Sequence, residues 1–321
     1  MGSPVVKRAL VIGVPLVAAI VFPLAVDNAY LVDVAVTAFL TAIAVYGLDV
    51  LLGYTGQLSL AHAGFFGIGG YAVGILTTDY GLSFWLALPL ALALTSLLGH
   101  LIGLAALRTR HDYFAVFTLA VGAMIVIVIE RWEGLTGGTD GLIGIPPPTG
   151  IGPLRFTSLT SQYYLVLAFL VFTIYVVWAL TRSLVGRTFL AVRNSEELAR
   201  AVGIDTGRTH QLSFVISATL AALGGALYAT FRGSIGPDVG DVPMTFNMLV
   251  YLMIGGVASL PGPLVGTVLI VGLMQALTAF QEYSMMILGP ILIIVIIFFP
   301  QGLAGQGRVL LRKLSRRGER P

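Results

Sequence analysis

Few residues in this sequence have the chemistry for catalysis. There is no cysteine, which removes thiolate nucleophiles, thiolate metal ligands and disulfides. The four histidines are His62, His100, His111 and His210. No two stand three or four residues apart, so an H-E-x-x-H metal site is absent, and no metal or catalytic residues are assigned. The two lysines, Lys7 and Lys313, follow Val6 and Arg312. A phosphate-binding G-x-x-x-x-G-K-[ST] loop therefore does not exist in the chain. The acids within apolar stretches are Asp33, Asp49 and Glu130, each near the end of its stretch, where water would reach it. A proton relay more often uses an acid near the middle of a span. What remains is a group of polar side chains set in glycine-rich backbone, G-Y-T-G-Q-L-S-L-A-H-A-G over 53–64. Gln57, Ser59, His62 and Gly64 are its candidates for contact with a polar molecule. Such groups recognise rather than transform.

The surroundings of that cluster are apolar. Of 321 residues, 57% are hydrophobic and 10% charged, with mean hydropathy +0.94. Soluble domains carry about 25% charge, so a soluble enzyme is excluded, and so is a disordered chain. Membrane β-barrels alternate polar and apolar residues. The composition instead predicts an all-α integral membrane protein. About ten hydrophobic spans can be drawn: 9–26, 33–52, 58–77, 83–107, 112–130, 162–181, 212–231, 246–260, 263–280 and 285–300. The third, eighth and ninth are interrupted by Gly, Pro or polar residues, which predicts broken or re-entrant helices. With the N-terminus in the cytoplasm, fifteen Lys and Arg fall inside and three outside: Arg131, Arg155 and Arg232. The positive-inside rule favours that orientation and puts both termini in the cytoplasm. The stretch after Lys7 and Arg8 is long for a signal peptide and lacks a clean cleavage site, so it reads as a retained span. The net charge of +3 follows this topology, and no nucleic acid is expected.

Three segments depart from the apolar pattern. The first is 53–64, running on through further glycines to Tyr71. Irregular backbone at membrane depth is tolerated inside protein or beside a water-filled cavity, so the segment reads as a substrate pathway or as close helix packing through small residues. Gly56–Leu60 and Gly256–Leu260 share a G-x-x-S-L frame, which adds Ser259 to the pathway candidates. The second segment, 131–161, is a long outer loop whose prolines and Leu/Ile residues predict an ordered cap. The third, 182–211, is an inner loop containing R-N-S-E-E-L-A-R-A-V-G-I-D over 193–205. Asn194 as N-cap with Glu197 three residues on forms a capping-box pattern. Glu196 and Arg200 stand at i,i+4 in the favourable order, and Gly203 is a stop signal. A two-turn helix is predicted over about 195–202, with Leu198, Ala201 and Val202 as an apolar face. So short a helix needs a partner: the protein's own surface, lipid headgroups or a cytoplasmic subunit. The tail, 301–321, is basic and reads as a lipid-facing anchor.

Together these segments resemble the permease subunits of branched-chain amino acid ABC importers, of the LivM type. The stretches that carry the resemblance are 52–71 (L-G-Y-T-G-Q-L-S-L-A-H-A-G-F-F-G-I-G-G-Y), 134–142 (G-L-T-G-G-T-D-G-L), 193–205, 217–229 (S-A-T-L-A-A-L-G-G-A-L-Y-A) and 253–266 (M-I-G-G-V-A-S-L-P-G-P-L-V-G). They run in the family's order through about 45–300. The resemblance implies an ABC importer permease fold filling 1–321 as one domain in the inner membrane. It implies a second homologous permease of the LivH type, two ABC ATPase subunits that use ATP and Mg, and an extracytoplasmic solute-binding protein. No cofactor is implied on this chain. The short inner helix resembles the family's coupling helix, with Glu197, Ala199 and Gly203 matching an E-x-A-x-x-x-G core. Asn194, Glu196, Leu198 and Arg200 complete the expected docking set. Arg131, Arg155 and Arg232, being outside, are expected to meet acidic patches on the binding protein. Related permeases carry urea or short amides, which the motifs do not separate. A stand-alone proton- or sodium-coupled carrier stays open as a different class.

Overall fold

A computed structural model describes residues 16–108, 113–150, 152, 155–276, 302–303 and 305. The expected span at 285–300 and the basic tail lie outside the described residues, apart from 302, 303 and 305. The chain is built from helices: α1 Leu16–Ala25, α2 Ala29–Leu48, α3 His62–Thr78, α4 Phe84–Ala106, α5 Phe114–Arg131, α6 Glu133–Thr136, α7 Leu159–Arg182, α8 Leu184–Asn194, α9 Glu196–Ala201, α10 Thr206–Arg232, α11 Val242–Gly255 and α12 Gly262–Ala276. Among the described residues five stretches are long and apolar enough to cross a membrane: Ala29–Gly53, Phe84–Ala106, Phe114–Arg131, Leu159–Arg182 and Thr206–Arg232. Of the three stretches expected to be broken, the first two are the short helices α3 and α11, and the third is described as far as Ala276 in α12. At 1.5 Å per residue the 14 residues of α11 reach about 21 Å, short of the roughly 30 Å hydrocarbon core.

The bundle is arranged around α2 and α10. Each buries 72% of its apolar window, against 22–33% for α4, α5 and α7. α10 packs most extensively on α3, then on α2 and α4, while α7, α11 and α12 pack on α2. The sequence of α10 makes this possible: Ser217, Ala218, Ala221, Ala222, Gly224 and Gly225 leave its surface nearly bare. A Cβ on Gly225 would strike the Phe66 carbonyl, and one on Gly69 would strike the backbone of Ala222. Small residues at such crossings let backbones approach, which drives helix association where no hydrophobic force acts between apolar surfaces. The outer helices turn Leu90, Leu94, Leu97 and Leu101 of α4, and Val116 and Ile127 of α5, away from the core.

Part of the loop at 131–161 has regular structure. After α6 it forms a two-residue strand, β1 Leu142–Ile143, paired antiparallel with β2 Ser234–Ile235 beyond α10. The Gly233 carbonyl accepts from the N–H groups of Gly144 and Ile145, both at 2.9 Å. Trp85 donates from Nε1 to the Thr149 carbonyl at 2.8 Å. Ile145 is buried beneath this cap, as the Leu/Ile content led one to expect. The loop at 182–211 holds α8, which the sequence reading did not resolve. Ser183 caps it, accepting from the Gly186 N–H, and Gly186, Phe189 and Val192 face inward at helical spacing.

Candidate functional site

The segment 53–64 is a true break between two helices. α2 ends in a π turn, Asp49–Gly53, and the chain then turns through Gly56 at φ +79°, a left-handed conformation that favours glycine. The break is stitched into the bundle. Thr118 on α5 accepts the Leu60 N–H at 3.0 Å, and Thr245 on α11 accepts the Ala63 N–H at 3.0 Å. Ser59 is buried, and its Oγ accepts the Ala61 N–H at 3.4 Å. The Leu60, Ala61 and Ala63 N–H groups around the start of α3 are thus engaged within the protein.

The pathway candidates separate. His62 is buried; its Nε2 donates to the Ala44 carbonyl at 2.8 Å, and its Nδ1 accepts from the Ser217 hydroxyl at 3.3 Å. Both ring nitrogens tie α3 to α2 and α10. Gly64 faces α5, where an added Cβ would lie 3.0 Å from Ile125 Cδ1. Ser259 donates to the Gly256 carbonyl at 2.7 Å, holding its own turn. Gln57 differs. It is buried, and its Oε1 has no hydrogen-bond partner among the described residues. It lines a cleft of about 120 Å³ with Gly56, Leu58, Phe114 and Ala115. A buried amide oxygen without a donor costs on the order of 1–3 kcal/mol, so it is poised to accept from a visiting donor.

The inner helix is α9, Glu196–Ala201, flanked by its cap residues. Ser195 is its N-cap, accepting from the Leu198 N–H at 3.2 Å. Asn194 instead ends α8, so the predicted Asn194–Glu197 capping box does not form. Both residues cap well; the unforeseen α8 consumes Asn194 and leaves Ser195 in the extended conformation a cap needs. Glu196 pairs with Arg200, as the i,i+4 spacing requires. Arg200 also donates from Nε to the Thr206 hydroxyl at 2.9 Å. Gly203, at φ +87°, stops the helix: its N–H bonds to the Arg200 carbonyl and that of Ile204 to the Ala199 carbonyl, both at 3.0 Å. That pair of bonds is a Schellman closure. Ala199 points inward and is buried, while Leu198 and Val202 are 66% and 69% exposed. The apolar face is therefore uncovered by the described chain, and Glu197 stands exposed beside it.

The three arginines expected outside lie at the opposite end of the bundle from α9. Arg131 ends α5 and is exposed, as is Arg155. Arg232 is engaged: it forms an ion pair with Asp33 at 3.2 Å and donates to the Thr37 hydroxyl at 2.9 Å. Its charge is already met by α2. Of the acids, Asp49 sits near a span end as expected but is fully buried rather than wetted. His100 on α4 meets α10: Gln211 Nε2 donates to its carbonyl at 2.7 Å and lies 3.0 Å from its Nδ1.

Sequence reasoning did not foresee the contacts that Arg193 and Asp49 make. Arg193 donates to the Gly53 carbonyl, and Asp49 accepts from the Ala258 N–H at 2.7 Å. Their partners lie 140 and 209 residues away, beyond any local pattern.

A family model described as the permease component of the branched-chain amino acid transport system matches residues 30–296. The LivM permease protein of the high-affinity branched-chain amino acid transport system of Salmonella typhimurium is 32% identical, over 97% of this chain and 78% of its own length. The LivM protein of Escherichia coli K12 is 31% identical, over 96% and 77%. The LivH permease protein of Escherichia coli K12 is 26% identical, over 84% of this chain and 92% of its own. No solved structure matches the chain. A match through nearly the whole bundle, from the second helix onward, shows that the chain belongs to the family of branched-chain amino acid transport permeases, with LivM-type proteins among its relatives.

Proposed function

We propose that this chain is the LivM-type permease subunit of an ATP-driven, binding-protein-dependent importer for branched-chain or similar apolar amino acids. In this reading 1–321 is one domain of about ten spans in the inner membrane, with both termini cytoplasmic. It pairs with a LivH-type permease, and two ATPase subunits that use ATP and Mg sit on the cytoplasmic face. The observation that carries the reading is α9, a capped helix with Leu198 and Val202 exposed beside Glu197. An apolar anchor ringed by charge suits a groove on a cytoplasmic protein, and Arg187, Arg200 and Arg208 at the same end favour the cytoplasm. ATPase closure would shift α9, and the permease pair would change which side its cavity faces. Gln57 is the favoured pathway contact, and Arg131 and Arg155 the favoured binding-protein contacts. A stand-alone ion-coupled carrier has less support, because Asp33 and Asp49 are engaged by Arg232 and Ala258.

The test is purification of the protein from its native membrane in mild detergent, with mass spectrometry of what accompanies it. A second permease and P-loop ATPases are expected. Recovery of this chain alone, active in ATP-free liposomes under an ion gradient, would overturn the proposal. A co-purifying binding protein should take leucine, isoleucine or valine; urea or a short amide as its ligand would move the substrate within the same class of importer.

A further inference from the structure

Two irregular segments interrupt the inner end of the bundle: 54–61 between α2 and α3, and 256–261 between α11 and α12. Both meet at the end of α2. In a continuing helix the Gln57 N–H would bond to the Gly53 carbonyl. It bonds instead to the Leu51 carbonyl at 3.2 Å, and the Gly53 carbonyl accepts from Arg193 Nη1. One turn earlier, buried Asp49 accepts through Oδ1 from the Ala258 N–H at 2.7 Å. Tyr46 donates to the Leu260 carbonyl at 2.7 Å. The second segment is held in an uncommon shape by these bonds, with Ala258 at φ +54° and Gly256 at φ +114°. Gly53 leaves the room required, since a Cβ there would strike Asp49 Oδ1 and lie 2.8 Å from the Ala258 nitrogen.

Arg193 is the next-to-last residue of α8 and stands two residues before Ser195, the cap of α9. A shift of α9 reaches Arg193 across two intervening residues, Asn194 and Ser195. We infer that Arg193 is a positioning residue that carries movement of α9 to both irregular segments, through its bond to the Gly53 carbonyl and the Asp49–Ala258 bond one turn away. The chemistry suits the task. A guanidinium bonded to a carbonyl is charge-assisted and directional, and Asp49 Oδ2 makes no hydrogen bond among the described residues. The inference rests on the reading of α9 as the ATPase-docking helix.

The experiment uses the complete importer in proteoliposomes and reads amino acid taken up per ATP hydrolysed, alongside retention of the ATPase subunits. For R193Q the ATPases should stay bound and hydrolysis continue, while uptake per ATP falls about tenfold or more, the equivalent of one charge-assisted hydrogen bond. R193K, which can still donate to one carbonyl, should recover much of the loss. Wild-type uptake per ATP in R193Q overturns the inference, and so does loss of the ATPase subunits, which would place Arg193 at the docking contact. If R193Q does not insert, R193K decides: it keeps one donor for the Gly53 carbonyl, so it should insert and hydrolyse ATP while taking up less amino acid per ATP than the native protein, and uptake per ATP equal to the native protein overturns the inference. Failure of the docking reading is seen separately, as ATPase retention in L198D.

Discussion

At the scale of single residues, polar character alone did not predict role. His62, the most reactive side chain of the glycine-rich segment, spends both ring nitrogens on neighbouring helices. His62→Ala should lower stability by about 1–3 kcal/mol, the cost of stranding the Ala44 carbonyl and Ser217 hydroxyl. Uptake per inserted molecule should persist. Thermal unfolding in detergent beside uptake assays checks this; an unchanged melting temperature with abolished uptake would return His62 to the pathway. Leu198 shows the converse, an apolar side chain exposed where water is expected. Leu198→Asp should weaken ATPase co-purification at least tenfold, as truncating an interface anchor costs upward of about 1–2 kcal/mol. Retention of the ATPases at wild-type level would refute the docking role.

At the scale of elements, the helix ends were decided by local chemistry, and the crossings by the absence of side chains. Gly203 holds a left-handed turn with nothing within 4 Å of an added Cβ, so Gly203→Ala meets backbone strain alone, about 1 kcal/mol. Partial uncoupling with normal insertion is the expected outcome in an uptake assay, and full wild-type coupling would show that α9 needs no rigid stop. Gly225→Leu meets the Phe66 carbonyl and should separate α3 from α10. Loss of folded protein by size-exclusion chromatography checks it; a monodisperse, active variant would contradict the packing. The same logic explains α8. Its signals, Ser183 as a cap and inward Gly186, Phe189 and Val192, were present in the sequence. They stood between two stronger features, the end of a span and the charged motif after it.

At the scale of the whole molecule, Arg232, just before β2, pairs with Asp33 near the start of α2, while Arg193, just before α9, bonds to Gly53 beyond its far end, so α9 and the β1–β2 cap occupy opposite ends of the bundle. With no native cysteine, single-cysteine labelling reads the orientation directly. Ile143→Cys, at a position 80% exposed in the cap, should react with a membrane-impermeant maleimide in intact cells. Leu198→Cys should react after permeabilisation alone. The reverse pattern would invert the proposed topology. The ion pair of Arg232 with Asp33 joins α10 to α2 beside the β1–β2 cap, so the charge of one of the three arginines expected outside is met within the bundle.

Composition determined the solvent: with 10% charged residues the chain cannot cover itself in water. Among the described residues, hydropathy and glycine placement located the five long helices and the short ones near 58–77 and 246–260, because those signals are local. The motif at 193–205 foretold a short helix, missing its cap by one residue. Tertiary structure decided which polar groups were already engaged. Gln57 and His62 lie five residues apart in the same segment, yet one amide oxygen is left without a donor while both imidazole nitrogens are bonded. Partners arriving from α2 and α10 make that difference, and a hydrogen bond between residues far apart in sequence leaves no periodicity by which to read it.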